Sequence, residues 1–93
     1  MAVYSITYDL IKDKDYTRII DAIKSISGNW ATPTKSQWLV ETTKNESEIR
    51  NYLSSYIDND DKIFVCKIEM PSWATRNISQ SVLQWLHDRK NSN

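Results

Sequence analysis

Asp9 closes a run of strand-forming residues, Val3-Tyr4-Ser5-Ile6-Thr7-Tyr8-Asp9-Leu10, and a helical pattern follows soon after. A carboxylate at the mouth of a strand, on the side away from the helices, is placed to meet a metal ion, a nucleic acid or a second subunit. Lys12, Lys14 and Arg18 follow closely and form a small basic group that can touch phosphate. Asp13 and Asp15 dilute that group, so a solvated face is the plainer reading. The acidic run Asp58-Asn59-Asp60-Asp61 can attract a cation, but it lacks the spacing and the glycine of a calcium loop. It reads as a solvated helix-to-strand turn. His87 has no second histidine to join it and falls near a helix end, where a surface histidine is favourably placed. Cys66 sits in an apolar strand and is expected to be buried and inert.

Trp30, Trp38, Trp73 and Trp85 are numerous for so short a chain. Aromatics on an open sheet can stack nucleic-acid bases. No strand here alternates glycine, phenylalanine and basic residues, so packing in a core or a dimer is the expectation. No phosphate-cradling glycine loop, zinc spacing or nucleophile elbow is present in the sequence.

The elements that must position these residues belong to one small domain. The chain has 93 residues, enough for a single modest core. It is 40% hydrophobic and 26% charged, with one glycine and two prolines, which argues against a loop-rich or disordered chain. Twelve basic residues balance twelve acidic ones. That neutrality weakens the case for tight non-specific nucleic-acid binding, which depends on phosphate neutralisation. A lone cysteine can make no internal disulfide, so a reducing, cytoplasmic setting is expected. No secretory signal pattern and no apolar run of bilayer length is visible, and no membrane partner is expected.

Alternation predicts a first strand over residues 2–10, with Tyr4, Ile6, Tyr8 and Leu10 on one face and Val3, Ser5, Thr7 and Asp9 on the other. Tyr16, Ile19, Ile20, Ile23 and Ile26 recur at helical spacing. Asp13 or Asp15 is placed to cap that helix, and Gly28 to end it in the left-handed conformation. Strands follow over 30–34 and 37–42. In the second of these, Trp38 and Val40 face away from Leu39 and Glu41. Thr43-Lys44-Asn45-Glu46 reads as a capping box for a helix carrying Ile49, Tyr52, Leu53, Tyr56 and Ile57. A strand over 62–70 comes next. A terminal helix between Asn77 and Lys90 then carries Ile78, Val82, Trp85 and Leu86, with Asn77 or Ser79 as its cap.

The order strand, helix, strand, strand, helix, strand predicts an α+β, ferredoxin-like βαββαβ sandwich over residues 1–70, with a tail and helix over 71–93. Both main helices cover one face of a four-stranded antiparallel sheet. The other face is expected to present Val3, Thr7, Trp38 or Leu39, Ile63 and Val65, an apolar patch of the kind that marks an interface. The tail or a second copy is expected to cover it, which makes Val3, Thr7, Trp38, Ile63 and Val65 the expected homodimer contacts.

The runs Ile6-Thr7-Tyr8-Asp9-Leu10, Trp38-Leu39-Val40, Ile57-Asp58 and Asp61-Lys62-Ile63-Phe64-Val65, together with Trp73 and Val82-Leu83-Gln84-Trp85-Leu86, resemble the Cas-two family. These are CRISPR-associated spacer-acquisition proteins, with stand-alone relatives. The resemblance implies a ferredoxin-like homodimer. It implies that Asp9 matches the strand-end aspartate which, in members described as nucleases, holds a divalent metal such as Mg²⁺ between subunits. In spacer acquisition the family acts largely as a structural bridge for DNA. The sparse arginine and neutral charge of this chain depart from the nuclease picture.

Three functions follow as expectations. The first is a homodimeric interaction or scaffold module with a protein or nucleic-acid partner. The second is a metal-dependent endonuclease using Asp9 from each subunit. The third is a phage or mobile-element inhibitor of a host defence complex.

Overall fold

The computed structural model describes residues 1–11 and 16–90. The order of elements is β1 (Ala2–Asp9), α1 (Thr17–Ile26), β2 (Trp30–Thr34), β3 (Gln37–Thr42), α2 (Glu46–Ser54), β4 (Lys62–Ile68) and α3 (Gln80–Asp88). The strands form one sheet in the order β2-β3-β1-β4, antiparallel at each junction. This α+β arrangement is compatible with the expected ferredoxin-like sandwich.

The sheet separates two apolar clusters. On one face Tyr4, Ile6 and Tyr8 of β1 and Trp38 and Val40 of β3 meet Ile19, Ala22 and Ile23 of α1 and Ile49 and Leu53 of α2. Ile6, Ile23, Val40, Ile49 and Leu53 are wholly sealed from water. Each such side chain contributes about 1.5–3 kcal/mol through burial. On the other face Val3, Ala31 and Leu39 meet Met70, Val82 and Leu86, with Ile68, Trp73, Ile78 and Trp85 packed around them. The terminal helix therefore covers the second face itself, over the β2, β3 and early β1 side.

The helix ends differ from the sequence expectations in three places. The N-cap of α1 is Tyr16, whose side chain caps nothing; Asp13 and Asp15 lie outside the described residues. Gly28 does not have a positive φ, and α1 ends on an extended Ser27 whose hydroxyl accepts from the Asn29 N–H. The capping box of α2 is built by Asn45 and Glu48, two residues beyond the expected pair. Asn45 Oδ1 accepts from the Glu48 N–H, and Glu48 Oε1 accepts from the Asn45 N–H. Both tetrads satisfy the capping pattern, and the later one allows Thr42 to finish β3 while its hydroxyl accepts from Lys44 N–H. The cap of α3 is Ser79, as expected, accepting from Val82 N–H.

Register corrects the assignment of faces. Ile6 stands opposite Trp38 on one side and Val65 on the other, and Tyr8 stands opposite Ile63. Cross-strand partners share a face. Trp38, Ile63 and Val65 therefore lie on the face covered by α1 and α2, not on the second face. Leu39, Phe64, Cys66 and Ile68 occupy the second face, beside Val3, Ser5 and Thr7.

Candidate functional site

Asp9 ends β1 exposed to solvent, opposite Lys62 in the ladder. It borders a hollow also lined by Tyr8, Tyr16, Ile20, Lys35 and Ser36. Among the described residues of that lining Asp9 is the one carboxylate and Lys35 the one cation. Mg²⁺ requires a near-octahedral set of oxygen ligands. Among the described residues this hollow offers one carboxylate, fewer oxygen ligands than such a site needs. Lys12 and Lys14 lie outside the described residues. Arg18 is already engaged, for its guanidinium donates to Ser55 O at 3.3 Å and lies 5.7 Å from the centre of the Tyr56 ring.

The acidic run forms a turn, as the sequence suggests. Asp58, Asp60 and Asp61 place carboxylate oxygens within 4.8 Å of one another. Asp61 is committed to the backbone: Oδ1 accepts from Ile11 N–H and Oδ2 from Asp58 N–H, both at 2.8 Å. The first of these bonds ties the exit of β1 to the entry of β4 across fifty residues of chain. Nothing in the local spacing announced that latch.

Trp38 is buried and the other three tryptophans are half-buried against the two clusters. Trp30 and Trp38 lie 5.1 Å apart on the α1 side, with the Lys24 ammonium 5.0 Å from the first ring and 5.8 Å from the second. Trp73 and Trp85 border the cluster under α3, where Trp85 carries the Arg89 guanidinium at 4.2 Å. Arg89 also pairs with Glu41 at 3.3 Å. His87 is exposed in the last turn of α3 and meets Trp73 edge-on. The Tyr52 ring of α2 and the Tyr56 ring just past its end meet at a tilt, half-buried against the first-face core, and the Ser25 hydroxyl beside Tyr52 holds its phenol below the usual range, with Tyr56 adding to the effect.

Of the expected interface residues, Val3 is sealed beneath α3 and Thr7 is half-exposed. The feature that sequence reasoning missed is Phe64. It is 65% exposed in the middle of a regular strand, on the second face, with Cys66 exposed beside it. Cys66 is therefore not buried as expected. It stands on the side of the sheet away from α1 and α2, and α3 packs over β2 rather than β4. The alternation of β4 carried the signal, since apolar residues occur on both of its faces while two main helices can cover one.

Together these features define an α+β module with one self-covered half-face and one open half-face. No family model matches the chain, and no solved structure gives a significant match.

Proposed function

We propose that this protein is a non-catalytic interaction module that works as a homodimer, with its partner surface on the β4 side of the sheet. The observation that supports this reading is Phe64. Exposing a large aromatic ring at the centre of an ordered strand forfeits burial free energy that a second chain recovers. The paired module then serves as a scaffold for a protein or nucleic-acid partner, in line with the resemblance to the Cas-two family. Asp9 as the one carboxylate among the described residues of its hollow, and Asp61 committed to the backbone, favour this reading over metal-dependent cleavage.

Sedimentation equilibrium tests it. The expected result is a dimer at micromolar concentration, with Phe64→Ser weakening association by about tenfold or more, the cost typical of an aromatic anchor. A wild-type chain that stays monomeric throughout the micromolar range contradicts the reading.

A further inference from the structure

The directions of the backbone groups identify which part of β4 is open. The Glu41 N–H bonds to Asn29 O, so these two residues form a hydrogen-bonded pair between β3 and β2. In an antiparallel ladder, bonded and non-bonded pairs alternate. Trp30 and Val40 are thus a non-bonded pair, and Val40 turns its N–H and C=O toward Tyr4 of β1. The alternation continues across β1. Val3, Ser5, Thr7 and Asp9 turn toward β4, where they meet Ile68, Cys66, Phe64 and Lys62. Ile63, Val65 and Lys67 must then turn their N–H and C=O groups outward, to the free edge. No hydrogen bond fills these groups among the described residues.

We infer that the occupant of this edge is the β4 strand of a second copy, paired antiparallel about a two-fold axis through Val65. This inference rests on the homodimer reading above and specifies its seam. Three features of β4 favour this occupant. The strand, Lys62–Ile68, is symmetric about Val65, so it is its own complement. Pairing Val65 with Val65 places Ile63 opposite Lys67 of the second copy and the reverse, and uses every outward group. A shift of the axis by one residue either way sends one outward residue beyond the end of the partner strand.

The same register disposes of the exposed side chains. Phe64 falls opposite Cys66 of the second copy, twice, so the exposed ring and thiol of each chain meet on the second face. Edge lysines normally discourage indiscriminate strand pairing. Here Lys67 meets Ile63 rather than another lysine, so this register opposes no like charges across the seam. The pairing also separates the two Asp9 carboxylates. They lie at opposite ends of the seam, roughly 20 Å or more apart at ordinary strand rise and spacing, so this dimer cannot clasp one cation between them.

Disulfide trapping tests the register. Phe64 and Cys66 of the second copy form a non-bonded pair across the seam, for which Cα atoms lie about 4.5 Å apart. That is inside the range a disulfide spans, about 4.4–6.8 Å. Phe64→Cys in glutathione redox buffer is expected to convert mostly to a covalent dimer, with two thiols lost per bond and glutathione disulfide reduced. Wild-type protein, whose Cys66 residues are offset along the seam, is expected to stay unlinked. Val65→Pro removes an outward N–H and leaves the ladder to β1 intact, so it is expected to give a folded monomer by circular dichroism and sedimentation. A wild-type dimer whose Phe64→Cys form does not cross-link at a concentration where sedimentation shows that form dimeric, or whose native Cys66 cross-links equally well, overturns this seam and leaves the dimer reading standing. Monomers in every form overturn both.

Discussion

The second face of the sheet has two halves with different fates. Over β2, β3 and the start of β1, Val3, Ala31 and Leu39 are sealed by Val82 and Leu86 of α3 and by Met70. Over β4, Phe64 and Cys66 are equally placed on that face and remain exposed. Both halves belong to one continuous ladder, so the difference is in the cover and not in the strands. Among the described residues one helix, α3, lies on this face, and it packs over β2 rather than β4. The lesson is that internal stability and partner surface are divided across the same face, and substitutions on the two halves should report different quantities.

The largest effect is expected on the covered half. Leu39→Ala should cost about 2–5 kcal/mol of folding stability through lost burial and the cavity left behind. Phe64→Ser, measured where the chain is monomeric, should change stability by no more than about 0.5 kcal/mol, as for an exposed position. Urea titration of the two variants checks this. Equal losses would break the comparison, because they would mean that Phe64 is already packed within its own chain.

A smaller effect sharpens the first-face core. Burial raises the Tyr4 phenol above its ordinary value of 10.0, with the charges of Glu46 and Glu48 adding to the rise. The folded state therefore holds this proton more tightly than the unfolded chain. That contribution is complete below pH 10 and is lost as pH rises further, because the unfolded chain ionises first. Urea midpoints above and below pH 10 should fall less steeply in Tyr4→Phe than in wild type. An identical fall would show that Tyr4 is not sealed as described.

The elements were legible because their periods are strong. The alternation of Tyr4, Ile6 and Tyr8 and the stripe of Ile19, Ile23, Ile49 and Leu53 place the first core without a structure. The faces of β3 and β4 were not legible, because strand register is a relation between distant segments and not a property of one. In β4 both sets of alternating residues are apolar, so Ile63 and Val65 could not be distinguished from Phe64 and Cys66 until Tyr8 was seen opposite Ile63. Asp9 was found at the strand end where the pattern put it. Its place beside Lys35, Tyr16 and Ile20 depended on neighbours that sequence could not supply. The Asp61 latch was hidden for the same reason, since its bond to Ile11 spans the length of the domain. The place of Asn45 rather than Thr43 at the head of α2 was ambiguous for a local reason: two overlapping tetrads fit one capping rule.

The two edges of the sheet provide the most direct measurement. Amide hydrogen exchange, followed as the protein is diluted, reads the outward N–H groups of Ile63, Val65 and Lys67 on β4 and of Trp30 on β2. If the β4 side is the partner surface, the three β4 amides are protected at high concentration and lose that protection on dilution, while Trp30 exchanges alike throughout. Rapid, concentration-independent exchange of the β4 amides, or protection gained at Trp30 instead, would contradict the account.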